Sequence, residues 1–132
     1  MLIHEQIISE VIERLKPLLS SHIKRFYNGR LLGLNPSEQC PAIAVYLEDI
    51  DAEEITVCDS EFDAMLNVAI YLKPGSGEDE LDEIAELVRT AIGTAEFNSL
   101  ITVSLKNYRY EYDEDQAAWI ASVVRFAIHY GE

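Results

Sequence analysis

Carboxylates are the residues best placed to do chemistry in this sequence. Glu111, Asp113, Glu114 and Asp115 cluster together, and a second run, Glu48, Asp49, Asp51, Glu53, Glu54, Asp59, Glu61 and Asp63, contains no basic residue. Clustered carboxylates hold Mg²⁺ or Ca²⁺ through oxygen ligands, which makes Glu111, Asp113 and Asp115 candidate metal ligands. The same cluster can instead be a solvated tip that keeps the protein soluble, the commoner outcome for any one residue. The calcium-loop pattern with its central Gly and distant Glu is absent. A metal-dependent enzyme built on Glu111, Asp113 and Asp115 would lack a supporting nucleophile or base. Gly75-x-Gly77 lacks the Gly and Lys of a phosphate loop and precedes an acidic helix start. No serine has an elbow-like context for His129 to serve. Cys40 and Cys58 lack the paired spacing of a zinc site and read as reduced structural thiols. His4 and His22 have no metal-ligand spacing and read as surface residues.

The tip carboxylates need a frame, and the flanking sequence supplies one. Tyr108, Tyr110 and Tyr112 recur at period two, and Trp119–Tyr130 is rich in β-branched and aromatic residues. This predicts an antiparallel hairpin with arms Leu105–Tyr112 and Trp119–Tyr130, joined by the polar connection Asp113–Gln116. Its length predicts that it forms the centre of the sheet. A tyrosine row on a strand is more often sheet packing than a ligand platform.

The remaining elements follow in order. Ile3, Ile7, Ile8, Val11, Ile12 and Leu15 fall at helical spacing, and Pro17 is expected to stop that helix. Asn28-Gly29 predicts a small hairpin or irregular turn between Ile23 and Leu32. Leu34–Gln39 reads as a loop, and Ala42–Leu47 as a strand covered on both faces. Ile55-Thr56-Val57 reads as a short strand or an apolar contact. Phe62–Leu72 alternates as a long strand, and Pro74–Gly77 ends it. A second helix carries Leu81, Ile84, Ala85, Val88, Ala91 and Ile92, with Gly93 as its expected stop. Leu100–Val103 leads back into the hairpin. The fold class is α/β of the α+β kind: a mixed or antiparallel sheet with two helices packed on one face, in the order α–(hairpin)–β–β–α–β–β.

The chain has 132 residues, 48% of them hydrophobic, which suits one folded domain over 1–132. Its formal net charge of −14 disfavours gripping nucleic-acid phosphates or an anionic membrane. It leaves open a surface that must let DNA pass without sticking. No apolar run approaches the roughly 20 residues that span a bilayer, and the glutamates within residues 1–16 argue against a signal peptide.

Several motifs occur in a fixed order: Phe26-Tyr27-Asn28-Gly29-Arg30, Pro41-Ala42-x-Ala44-Val45-Tyr46-Leu47, Ile70-Tyr71-Leu72, Glu80-Leu81-Asp82, Tyr108-x-Tyr110-x-x-Asp113-x-Asp115, Trp119 and Ile128-x-Tyr130. In order and spacing the chain resembles the minor tail protein U family, the tail terminators of lambda-like long-tailed phages. The likeness runs from about Phe26 onward, and the N-terminal helix agrees in character. Pro74 follows Leu72 after an intervening Lys73 rather than directly, and the loop before Pro41 is slightly longer; both departures fall in loops. The resemblance implies a virion tail protein made in the bacterial cytoplasm, with no enzyme activity and no required cofactor. It implies a homohexameric ring on the tail tube that stops polymerisation and joins the head through a head-completion protein, while DNA passes through.

From that ring follow physical expectations. Tyr108, Tyr110, Tyr112 and Trp119 belong either to the core or to the ring seam. Axial contacts to the tube or head are expected from two loops, Glu48–Glu61 with Glu48, Asp49 and Asp51, and Lys73–Asp79 with Lys73, Glu78 and Asp79. Mg²⁺ is a candidate aid to assembly, because like charges meeting across a seam must be neutralised or separated. The alternatives are another head–tail joining protein of similar fold, or an acidic module that binds a basic protein.

Overall fold

The computed structural model of the chain describes residues 2–31, 33–54 and 60–131, with Leu2 and Glu54 described by backbone alone. The expectations for Ile55-Thr56-Val57, Cys58 and Asp59 lie outside the described residues.

Helix α1, Leu2–Leu19, buries Ile7, Val11, Leu15 and Leu19, each one turn or so beyond the last. It runs through Pro17 rather than stopping there. Proline removes one hydrogen bond, and the buried Leu15 and Leu19 on either side hold the last turn in place. Strand β1, Arg25–Asn28, does not turn back into a hairpin. It pairs in parallel with β2, Ala42–Glu54, and Gly29 at φ 101° turns the chain away. Asn28 remains in the strand, so the type I′ turn that Asn-Gly favours does not form. The expected loop at 34–39 contains a short helix α2, Pro36–Gln39, with proline at its first turn.

β2 and β3, Ser60–Leu72, form a long antiparallel pair, with a bulge between Glu48 and Asp51 where Asp49 takes φ 52°. A single 3₁₀ turn, Pro74–Ser76, leads into helix α3, Gly77–Thr94. Glu78, Asp79 and Glu80 occupy its first turn, where the helix dipole favours negative charge. Gly93 lies inside the helix and does not end it. β4, Thr102–Tyr112, and β5, Ile120–Gly131, close the chain as an antiparallel hairpin.

The strand order is β1-β2-β3-β5-β4, so the sheet is mixed, with one parallel pair at one edge. The terminal hairpin is therefore not the centre. β3 is central, β5 is its neighbour, and β4 is an outer edge. The residue types explain this. β3 and β5 present apolar or small residues on both faces, whereas most of β4 is exposed.

The two long helices pack on one face and on each other. Beneath them lie Ile43, Val45, Phe62, Leu66, Val68, Ile70, Val124, Phe126, Ile128 and Tyr130. His4 is half-buried at the margin of this core rather than a fully exposed surface residue. Its Nε2 lies 2.7 Å from the Tyr130 hydroxyl, and its ring meets Phe62 and Tyr130 edge-on. His22 is exposed as expected. The opposite face has no long helix. There Ala44, Ala69 and Val123 are buried beneath Tyr27, Leu31, Tyr46 and Tyr71. Cys40 is a buried free thiol whose pKa is pushed up by that burial, with Lys73 pulling weakly the other way.

Candidate functional site

The strand registers sort the candidate residues by face and by end of the sheet. Tyr108, Tyr110 and Tyr112 pair with Val124, Ser122 and Ile120, which puts the row on the helix side, beside α3. Tyr110 donates its hydroxyl to Asp82 and Tyr112 to Glu78. The hydrogen bond to Asp82 pushes the Tyr110 phenol up to about 12, because the protonated form makes that bond. The row ties an edge strand to α3, yet each ring stays nearly half exposed. It is thus neither core nor a free platform.

Glu111 lies opposite Ala121, on the other face from the tyrosines. Asp113 accepts hydrogen bonds from the backbone N–H groups of Asp115 and Gln116 through Oδ1, and of Ala118 through Oδ2 at 3.0 Å. These bonds hold its carboxyl below the usual range, most strongly the one from Ala118. They make Asp113 the organiser of the β4–β5 turn, in which Ala117 takes φ 50°. Glu111, Asp113 and Asp115 do not form a cation cage within the chain. Among the described residues no three carboxylates or imidazoles are arranged to hold a metal ion. Trp119 is half-buried, with its ring edge-on to Tyr71 at 5.4 Å. It lines a surface depression with Leu31, Leu34, Asp113 and Asp115.

On the face opposite the two long helices Glu48 is engaged inside the chain. It accepts from Arg30 at 2.7 Å, from Asn67 at 2.9 Å and from Arg125 at 3.4 Å. Arg125 Nε also donates to Asn67 Oδ1 at 3.0 Å, which satisfies an amide that is 0% exposed. Burial alone would raise the Glu48 pKa, but the bonds from Arg30 and Asn67 and the nearby charges outweigh it and lower it. Arg30 also lies 4.4 Å over the ring of Tyr46. Arg30, Glu48, Asn67 and Arg125 come from four separate segments, so sequence spacing carries no sign of their meeting.

Asp49 and Asp51 are exposed further along β2. There Asp51 lies directly opposite Asp63, and Glu53 opposite Glu61. His129 sits between the two β3 carboxylates, with Nδ1 2.8 Å from Asp63 and Nε2 2.8 Å from Glu61. Those two contacts, Asp63 first, raise its pKa. Another engaged carboxylate, Glu10 on α1, accepts from the backbone of Asn98 and Ser99 and pins the α3–β4 connection. Neither His129 nor Glu10 stood out in the sequence.

The first expected contact loop is strand where it is described, because β2 continues through Glu48–Glu54 and β3 begins at Ser60. The second is the short turn and first residues of α3. Asp49 and Asp51 of the one and Lys73, Glu78 and Asp79 of the other lie towards opposite ends of the sheet. Lys73, Glu78 and Asp79 share one end with the 113–118 turn, where Lys73 and Pro74 adjoin Pro36 and Ala118. Asp49, Asp51 and Glu53 approach the other end, where β2 meets the start of β3.

A family model described as phage minor tail protein U matches residues 2–130, the N-terminal helix included. The chain is 28% identical over 131 residues to the tail tube terminator protein of Escherichia phage N15, covering 96% of this chain and 97% of that protein. Its fold is similar to a chain in the solved virion of a native gene transfer agent particle, with a TM-score of 0.63 and 12% identity over 96% of this chain and 95% of that one.

Proposed function

The chain belongs to the phage minor tail protein U family, and from that premise we propose that it terminates a phage tail: it caps the tail tube, stops the tube's polymerisation and presents the surface to which a head is joined. It is a structural protein of the phage tail, and its place is the virion. The end-to-end similarity to a tail tube terminator carries the proposal. In this reading the protein acts by binding rather than by catalysis.

The finer parts follow from geometry and symmetry. Six copies close into a ring through one repeated head-to-tail contact. Stopping polymerisation requires that the two faces of such a ring differ. The subunit supports that difference, because its two ends, both mainly acidic, are built from different elements. Lys73, Glu78, Asp79 and the 113–118 turn mark one end, and the acidic stretch of β2 marks the other. One end faces the tube protein and the other a head-completion protein. DNA crosses the acidic ring without being gripped.

The test adds the purified protein to polymerising tail tubes and images them. Tubes that stop growing and carry a six-fold ring at one end are the expected result. Growth that continues, with no protein at either end, would overturn the proposal. Binding to heads but not to tubes would replace it with a head-joining role.

A further inference from the structure

Besides the outer side of the short edge strand β1, the sheet leaves two longer stretches of strand without a neighbour among the described residues. β1 covers β2 only as far as Val45, and Arg30 lies beside Tyr46 and Glu48, so β2 is open from Asp49 onward. β4 pairs with β5 alone, so its whole outer side is open. Bare edges carry unpaired backbone groups, and proteins either use them or guard them.

The two edges differ in charge: the open part of β2 is acidic throughout, whereas β4 carries two basic residues, Lys106 and Arg109, against one carboxylate, Glu111. On β2, Asp49, Asp51 and Glu53 are exposed and make no ion pair among the described residues. They are also crowded, since Asp51 faces Asp63 and Glu53 faces Glu61, and like charges directly opposite destabilise a ladder. His129 is engaged by the β3 pair and leaves the β2 pair unrelieved. On β4, Lys106 and Arg109 are exposed and likewise without a carboxylate partner among the described residues. Each edge also exposes apolar surface: Ile50 on β2, and Leu105 and Tyr108 on β4.

We infer that the acidic β2 edge of one copy seats against Lys106 and Arg109 on the β4 edge of the next, forming the seam of the ring. The inference rests on the ring proposed above and names its contact surfaces. A head-to-tail contact that repeats around a ring needs two different, complementary patches on opposite flanks of one subunit. These two lie at opposite flanks of one sheet. The end of the hairpin is less suited to meet an acidic partner, because Tyr110 and Tyr112 are already bonded to Asp82 and Glu78 of the acidic helix α3. Both edges carry a bulge, between Glu48 and Asp51 and between Leu105 and Asn107, which spoils a flat ladder. The seam therefore forms through side chains, with basic groups meeting carboxylates and Ile50 packing near Leu105 and Tyr108. Asp51 shares a cross-strand row with Asp63 and His129, whereas Arg109 shares one with Val123 and Ala69. The rows lie about 20 Å apart along the strands, at ~3.3 Å per residue. Neighbouring sheets are thus staggered, which tilts the strands against the ring axis.

The test uses two charge reversals in the full chain, Lys106→Glu with Arg109→Glu, and Asp51→Lys with Glu53→Lys. Ring formation on tail tubes is read by electron microscopy and by light scattering after size exclusion, and circular dichroism checks the fold. Each variant alone is expected to stay folded and to need at least ~10-fold more protein to assemble. Mixed in equal amounts, the two variants match at every seam and are expected to regain rings of alternating composition. If a reversal unfolds the chain, the neutral pair Lys106→Gln with Arg109→Gln takes its place and is expected to weaken the ring. Rings from either reversed variant alone at wild-type concentrations, or no recovery on mixing, would overturn this seam and leave the ring intact. Wild-type protein that forms no ring, alone or on tubes, would overturn the ring and the seam together.

Discussion

At the level of single residues, the buried polar groups of the face opposite the two long helices are engaged within the chain. Asn67 is fully buried in the central strand, and its amide depends on Arg125 and Glu48. Arg125→Met removes the donor to Asn67 Oδ1 while keeping most of the stem's packing. It should lower stability by about 1–3 kcal/mol, the cost of a buried polar group left without its partner, as read by urea denaturation. An unchanged midpoint would mean that the amide finds another donor. His129 offers a pH signature. Asp63 and Glu61 hold its charged form, so its folded pKa lies above the ordinary 6.5. A raised folded pKa means that this stabilisation is complete below about pH 6.5 and is lost as pH rises through the folded value. Thermal midpoints of the wild type should therefore fall as pH climbs above about 6.5, and His129→Gln should flatten that slope. Parallel slopes would show that the imidazole contributes nothing. Neither the Asn67 network nor the His129 clamp was legible in the sequence. Each joins residues more than 50 positions apart, and only the strand register brings them together.

At the level of elements, the sequence spoke clearly where a pattern was local. Both long helices, the strands at 42–47 and 62–72, and the terminal hairpin all appear where periodicity places them. It spoke less clearly where the outcome depends on neighbours. Asn28-Gly29 carries a strong turn preference, yet the chain gains more by pairing residues 25–28 with β2 and placing Phe26 against the core. Pro17 and Gly93 are local stop signals that tertiary packing overrides, because Leu19 and Ile92 bury beside them. The hairpin's length suggested a central place in the sheet, but length does not set strand order. The better sign was the pair of small residues Ala44 and Ala69, in one row with Val123, which lets β2, β3 and β5 be buried on both faces. β4, with a polar residue at nearly every second position and tyrosines between, is suited to an edge. Of the candidate contact residues, Asp49, Asp51, Lys73, Glu78 and Asp79 are exposed charges, as their sequence context suggested, whereas Glu48 is engaged within the chain. Their division between two ends and two edges was not legible, because composition along a chain does not say which strands are outermost.

At the level of the whole molecule, charge sets the terms of assembly. In the proposed ring, six copies at −14 sum to about −84, and such subunits repel one another at long range. The seam itself joins unlike charges, and these act at contact distance. Salt separates the two effects, since its screening length is ~10 Å at 0.1 M and grows to ~30 Å at 0.01 M. Raising salt from the lower to the higher value should therefore remove most of the ring-wide repulsion while sparing much of the contact attraction. Assembly is expected to strengthen over that range and to weaken again toward 1 M, where even close pairs are screened. Mg²⁺ would add to this by bridging carboxylates crowded at the seam, such as Asp51 and Asp63, where one chain alone provides no cage. Sedimentation across a salt series, with Mg²⁺ and then with chelator at matched ionic strength, measures both effects. A greater gain with Mg²⁺ than with matched monovalent salt would locate a cation between subunits. Rings equally stable in low salt with chelator would mean that the −84 is not what assembly works against, and that apolar contacts at Ile50, Leu105 and Tyr108 dominate the seam.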